Sequence, residues 1–556
     1  MKILLIQPPV RDFYDTSIRL HPIGLAYLKS AVETFCKDWH VRLIDFHAGY
    51  PKRMMPWPKE FAYLKSYYPC HDQSPFGAFH HYYHFGAQID DIAEEVLEQN
   101  PDVLGLSSLF SPYYREVLEI AEAVKKKNHE IKILLGGHHV SACPDMMLEH
   151  QAVDFIIRGE GERPLVMFLK QFSSGQDYSK VPNLGYKVGK KKILNRIEDN
   201  YPINDLPIPD FSDLENKHYQ VHHKPMTFIL SSRGCPYQCS FCGIHTTFGR
   251  DYRRRWIPEI IDEMRLRYQQ GIRVFDFEED NLNFSKEHII KLCQEIIRVF
   301  PQKDLTLLAM NGLSYMNLDR DILEHMKSAG FSHLNISLVS TSEDNHAENK
   351  RPFFLQKYIE VVEDGLAFGM KVTIYQIIGF PNESLASMVQ TLIFHARLPV
   401  LLGPSMFYLV PGSPLAKRLT DFASHPLYLA RLTAMNEFSQ LCTREDIYTL
   451  FITSRIINFL KGLKGPNREI ELNELLEYAH DSRTRLGCQV LDKLLQKRIL
   501  FAYDAGRFVK LNKFNVELFE QIWKQLKYIR AYYNPELSIK VTPEYVADYT
   551  EIKIGV

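Results

Sequence analysis

Apolar positions in the first third of the chain come in short unbroken runs, not in the polar–apolar alternation of half-exposed strands. Runs at 2–7, 41–45, 103–109, 131–135 and 154–157 read as buried parallel strands, the first of them stopped by Pro8-Pro9. Helical periodicity covers about 88–99 and 113–127, and Pro22-Ile23-Gly24 opens a further helix. Gly136-Gly137 and Gly159-Glu160-Gly161-Glu162 follow two of the strands as turns. Strands alternating with helices, with glycine turns at strand ends, predict a doubly wound, Rossmann-like α/β sheet over 1–172. Ligands of such sheets sit at the carboxyl ends of the strands. An aromatic and histidine-rich insertion at 50–90 interrupts the pattern, and it includes Phe79-His80-His81-Tyr82-Tyr83-His84-Phe85.

The pattern lapses over 173–225, which reads as a linker with a hairpin at 182–197. Gly189 marks its bend, so Lys190, Lys191 and Lys192 read as a solvated turn. From 227 the alternation resumes. Strands are expected at 227–231, 273–277, 305–310, 333–338, 372–378 and 405–409, with helices at 257–269, 285–299, 319–328, 354–368 and 383–397. These six units span 226–420. The remainder, 421–556, reads as mainly helical. A helix near 490–495 followed by a hairpin at 499–510 suggests a winged helix, to which we assign a lid or substrate-choosing role.

A chain of 556 residues is too long for one core, and 45% hydrophobic with 24% charged residues is ordinary for a globular protein. The net charge of −1 gives no support to a polyanionic partner, so no nucleic acid is expected. The basic run Arg250, Arg253, Arg254 and Arg255 beside Trp256 reads as structural or cluster-flanking. Nine cysteines is an odd number, and six of them are scattered without spacing. That argues against a secreted disulfide framework and for a reducing, cytoplasmic location. The first apolar run is too short for a signal peptide, and no run of about 18 apolar residues is present, so no membrane span is expected.

The chemistry is concentrated in Ser231-Ser232-Arg233-Gly234-Cys235-Pro236-Tyr237-Gln238-Cys239-Ser240-Phe241-Cys242. Three thiolates on one tight loop can hold three corners of a [4Fe–4S] cube and leave the fourth iron open. Cys235, Cys239, Cys242 and His245 also spell a closed Cys3His zinc site. The Cys-x3-Cys-x2-Cys spacing with an aromatic Phe241 resembles the signature of the radical S-adenosylmethionine (SAM) enzymes. In that family the open iron chelates SAM, and an electron cleaves it to a 5′-deoxyadenosyl radical that the protein orients and shields. Six strand–helix units fit the family's open partial (β/α)6, TIM-type barrel, with function at the strand carboxyl ends. The resemblance makes Glu279 and Asp280 candidates for the SAM ammonium, with helix capping the alternative for Asp280. It also marks Ser340, within a turn where Val339 replaces the family's glutamate, and Arg351 for the SAM carboxylate. Gly379-Phe380-Pro381-Asn382-Glu383 and Pro411-Gly412-Ser413-Pro414 match family turns.

The amino-terminal turns resemble a cobalamin-binding domain. Ser107-Ser108-Leu109 and Gly136-Gly137 enclose residues 110–135, 26 in all, which is the family's interval between Ser-x-Leu and Gly-Gly. Glycines there let the backbone approach a nucleotide tail and a hydroxyl can bond it. The resemblance implies cobalamin contacts at Ser107, Ser108, Gly136, Gly137, Gly159, Glu160, Gly161 and Glu162. The family's Asp-x-His-x-x-Gly is missing, and Asp45-Phe46-His47-Ala48-Gly49 reads as a plain turn. Cobalt with no protein imidazole beneath it is therefore expected.

The order of domains resembles the cobalamin-binding radical SAM enzymes, the group of the anaerobic porphyrin cyclases and carbon methylases. It implies a [4Fe–4S] cluster, SAM and cobalamin as cofactors, a small-molecule substrate, and an electron donor such as flavodoxin or ferredoxin. The leading activity is methyl transfer to an unactivated carbon; radical oxidation, cyclisation or rearrangement without methyl transfer is the second reading. A zinc-stabilised regulatory or RNA-binding protein is the third. The two cofactors should face one cavity, closed by 50–90 and the C-terminal region; the alternative is that 50–90 packs on the linker.

Overall fold

The structure is a computed structural model that describes residues 1–16, 20–419 and 426–541. The expected boundary at 420/421 lies outside the described residues.

The first sheet has seven strands in the order Lys191–Leu194, Leu184–Val188, Phe155–Ile157, Lys132–Gly136, Val103–Ser107, Lys2–Gln7, His40–Asp45. The five strands from Phe155–Ile157 to His40–Asp45 run parallel, and their apolar runs are covered on both faces by helices. Strand Lys2–Gln7 pairs with His40–Asp45 on one side and Val103–Ser107 on the other, so the order reverses there and opens a crevice at the carboxyl ends. The hairpin predicted at 182–197 forms, but it corrects the linker expected from 173. Leu184–Val188 pairs antiparallel with Phe155–Ile157, and Val181, Leu184 and Tyr186 are buried in the first domain's core.

The second sheet is an open barrel in two arcs. Lys224–Ile229, Val274–Phe277 and Thr306–Leu308 run parallel, as do His333–Val339, Lys371–Ile378 and Leu401–Met406. Bridges Leu307–Phe331 and Leu313–Ile336 join the arcs. Helices Ile257–Gln269, Lys286–Val299, Arg320–Ala329, Leu355–Ala367 and Leu385–Ala396 return the chain each time. The fold class is thus the expected one, with the sixth strand displaced: it begins at Leu401, not 405. Gly403 and Pro404 hid it, since proline is tolerated only because this strand is the sheet's edge.

The insertion does not pack on the linker. Val10–Asp12, Tyr82–Phe85 and Arg53–Met55 make a small antiparallel sheet, and the 3-10 helix Lys59–Ser66 lies in the chain between Arg53–Met55 and Tyr82–Phe85. Phe61, Leu64, Tyr68, Phe76 and Phe79 share one core with Tyr448, Phe451 and Ile452 of helix Arg444–Gly462. Phe79 stacks on Phe451 with ring centroids 5.6 Å apart. The C-terminal region is mainly helical as expected, and its hairpin Phe501–Asp504/Arg507–Lys510 follows helix Ser482–Lys497.

Candidate functional site

The cysteine loop leaves strand Lys224–Ile229 and is pinned on both sides before any cofactor is considered. Glu279 accepts from the Ser231 N–H and, at 3.0 Å, from the Ser232 hydroxyl. Asp280 accepts from the Gly234 N–H at 3.0 Å. Gly234 has φ +84°, and a Cβ there would lie 2.3 Å from the Asp251 carbonyl oxygen, so only glycine fits this bend. On the far side the Ser240 N–H donates to the Asn349 carbonyl at 2.9 Å and the Leu415 N–H to the Ser240 carbonyl at 2.7 Å.

All three thiols are free, and two have N–H donors close to sulfur: Asn281 Nδ2 at 3.6 Å from Cys235 and Arg351 Nη1 at 3.8 Å from Cys239. Burial pushes the Cys242 thiol up to about 11. Three thiols on one loop, N–H groups beside the sulfurs and an arginine facing them suit an iron–sulfur cluster with one open corner. The zinc alternative loses its fourth ligand. The His245 ring engages the Cys242 backbone, and among the described residues no three His, Cys, Asp or Glu side chains converge on one ion.

The other barrel candidates collect at the same carboxyl edge. Burial raises Glu279 to about 7 and Asp280 to about 6. Helix Lys286–Val299 is capped by Ser285, so capping is not the role of Asp280. Glu279 has both oxygens occupied within the loop, and Asp280 has one. Arg351 Nη2 donates to the Ser337 carbonyl at 2.9 Å, its Nε is buried without a partner, and no carboxylate among the described residues pairs with it. Ser340 is fully buried and donates to Glu383 Oε1 at 2.5 Å, and Ser387 donates to the same oxygen at 2.8 Å. Burial raises Glu383 to about 7. Val339 sits at φ +75°, rare for a β-branched residue, beside a register shift in its strand.

In the first domain Ser107, Ser108, Gly136, Gly137 and Gly159 line the strand ends. Gly137 has φ +113°, and a Cβ there would meet the Ser108 carbonyl at 2.6 Å. The Ser108 hydroxyl and His139 Nε2 are buried with no partner, and Ser141 holds the Gly159 N–H at 2.8 Å. A glycine cradle with an unpartnered buried hydroxyl suits the nucleotide tail of cobalamin. Glu160 and Glu162 are corrected out of that set, because their carboxylates are occupied by arginines of the other domain. His138 and His139, which belong to no motif of the sequence, follow Gly137 directly. His138 Nδ1 meets Thr247 Oγ1 at 3.0 Å and His139 Nδ1 meets Ser111 Oγ at 3.0 Å; burial lowers them to about 4 and about 3.

The short helix His138–Ala142 packs on His245–Phe248, just past the third cysteine, so the carboxyl strand edges of the two domains face each other. The arginine run does not form a patch. Arg250 donates to the Tyr237 carbonyl, Arg253 to Glu160 and the buried Arg255 to Glu263, which leaves Arg254 exposed.

The fold and loop are those of a radical SAM barrel joined to a cobalamin-type sheet. The B12 binding domain model matches residues 77–169 and the Radical SAM superfamily model residues 229–394. The chain thus joins a B12-binding domain to a radical SAM domain, the pairing found in the cobalamin-binding radical SAM enzymes, and its cofactors are a [4Fe–4S] cluster, SAM and cobalamin. An uncharacterised methyltransferase of Pyrococcus horikoshii is 25% identical over 408 residues, covering 72% of this chain and 79% of that protein. The anaerobic magnesium-protoporphyrin IX monomethyl ester cyclase of Rubrivivax gelatinosus is 25% identical over 375 residues, 62% of this chain and 63% of its own. The methyltransferase TsrM of Kitasatospora setae, solved with cobalamin and a [4Fe–4S] cluster, shares the fold with a TM-score of 0.58 at 16% identity, covering 76% of this chain and 78% of that one. No helix among the described residues is long and apolar enough to cross a membrane.

Proposed function

We propose that this enzyme methylates an unactivated carbon of a small molecule in a SAM-dependent radical reaction. The observation that carries this reading is the pairing of a B12-binding sheet with the cysteine loop at one facing edge. Bound there, the cluster supplies the electron that breaks a carbon–sulfur bond of SAM, and cobalamin supplies the methyl group. Cys235, Cys239 and Cys242 hold the cluster. Arg351 is free of any carboxylate and faces the loop, which suits the SAM carboxylate, and the unoccupied oxygen of Asp280 suits the ammonium. Glu279 is spent on keeping Ser231 and Ser232 in place, so its role is to shape the loop. Ser340 and Glu383 form a buried pair that supports the strained Val339 turn. Ser107, Ser108, Gly136, Gly137 and Gly159 cradle cobalamin.

Cleavage of SAM takes one electron, which an external donor of the flavodoxin or ferredoxin type would supply. Nine free cysteines suit a cytoplasmic setting. The likeness to the cyclase supports a second reading, radical oxidation or cyclisation with the same parts. Anaerobic turnover with SAM deuterated in its methyl group separates them. A product carrying three deuterons is expected; a product formed with deoxyadenosine release and no label would move the assignment to the second reading.

A further inference from the structure

Arg233, two residues before the first cluster cysteine, is 5% exposed and bound to the other domain. Its Nη1 donates to Glu160 Oε1 at 2.7 Å and its Nη2 to Glu162 Oε1 at 2.8 Å. The second oxygens are also occupied, Glu160 Oε2 by Arg253 Nη1 and Glu162 Oε2 by Asn200 Nδ2, each at 2.7 Å. The guanidinium lies 4.8 Å from the centre of the Tyr27 ring. Burial opposes the charge on Arg233, but Glu162 and Glu160 outweigh it and hold the guanidinium above its ordinary value.

Two buried carboxylates bridged by one planar fork constrain direction as well as distance. The glutamates belong to the turn that begins at Gly159, whose N–H is tied to Ser141 on the helix after Gly137. A continuous set of bonded groups therefore runs from the B12 cradle to the cluster loop. The chain between the two sheets, 195–223, is itself bonded to both, through Asp210 and Asp213 to Lys29 and through the Pro209 carbonyl to Arg267, whereas the clamp joins the two domains at the cluster loop itself.

We propose that the Glu160–Arg233–Glu162 clamp is a positioning device that fixes the B12-binding edge against the cluster loop. Its residues touch neither reacting atom. Its consequence for coupling rests on the function proposed above; its structural claim does not.

The test uses the full chain without cofactors, with spin-labelled noncanonical residues at the exposed positions Glu130 and Lys291 and distances read by pulsed dipolar resonance. The wild type should give one narrow distance distribution. Arg233→Met should broaden or shift it, Glu160→Gln with Glu162→Gln should do the same while keeping side-chain shape, and Arg233→Lys should fall between. In the loaded enzyme, product formed per SAM cleaved should drop by about 100-fold with iron and corrinoid content retained. An unchanged distribution in the folded double-Gln variant overturns the proposal. So does a broadened distribution with unchanged coupling, since the clamp would then be structural only. If the wild type cleaves no SAM, the function proposal falls while the distance result still decides the clamp.

Discussion

Replacing Arg351 by methionine should weaken SAM binding and leave the cluster in place. The side chain is half-buried, gives one nitrogen to the Ser337 carbonyl, and lies 3.8 Å from the Cys239 sulfur with no carboxylate to neutralise it. A cation held in that way is prepared for an anionic ligand. A hydrogen bond to a charged group contributes about 1.5–3 kcal/mol, and partial burial protects it from the screening that makes exposed pairs weak. That range corresponds to about 10- to 150-fold in the SAM dissociation constant. Lysine at 351 would restore charge without the fork and should recover only part of the loss. The assay is a SAM titration of the reduced enzyme, followed by the change in the cluster's paramagnetic resonance, with iron and sulfide measured in parallel. Binding by the methionine variant within about threefold of wild type, a difference under 1 kcal/mol, would refute the assignment.

Changing Cys235, Cys239 and Cys242 together to alanine should abolish iron and sulfide; stoichiometric zinc without iron in the wild type would sink the cluster. The cob(II)alamin form should show no nitrogen superhyperfine splitting that changes when the protein's histidines are 15N-labelled, since Asp-x-His-x-x-Gly is missing and His138 and His139 are held through Nδ1 by Thr247 and Ser111; label-sensitive splitting would mean that a protein imidazole reaches cobalt. Glu116 is buried with Oε2 unpartnered, and burial raises it to about 7 despite Arg11 and Arg431. As pH rises from about 4.5 to 7 the unfolded chain ionises while the folded acid keeps its proton, so stability falls, by up to about 3 kcal/mol, and is then level. Glu116→Gln should remove that slope in denaturant titrations at pH 5 and 8; equal slopes in both proteins would contradict the burial argument.

Most strands and helices were legible because buried parallel strands leave unbroken apolar runs and their helices a 3.6 period. Exceptions have local causes. Leu401–Met406 was hidden by Gly403-Pro404, and helix Glu343–Glu348 is too short and polar to show a period. The hairpin at 184–194 was visible, but its place on the first sheet depends on pairing with Phe155–Ile157, which no local pattern encodes. The cluster cysteines were legible because a single loop supplies them. Asn281, Arg233 and Glu383 were not, since each acts across 43 to 73 residues of sequence. The glutamates of Gly159-Glu160-Gly161-Glu162 meet arginines 71 to 93 residues further on, a pairing that no local pattern encodes.

The insertion at 50–90 gains a physical role from what lies between it and the cluster. Burial and then the Cys242 thiol push Tyr408, just past the last barrel strand, upward, so this phenol feels the third cysteine. Burial also raises Tyr14, with Asp12 and then Tyr408 adding to it, and Tyr14 meets Phe79 edge-on at 6.2 Å. Phe79 in turn stacks on Phe451 of the C-terminal helix. Aromatic side chains therefore run from the cluster loop through the insertion to the C-terminal domain. A primary radical must be kept from water; the rings of Phe79 and Phe451 carry no polar group that would hold water there, whereas Tyr14 and Tyr408 each add a hydroxyl. The insertion and helix Arg444–Gly462 bury their apolar faces in one shared core, so a change at Phe79 or Phe451 should unsettle both segments together.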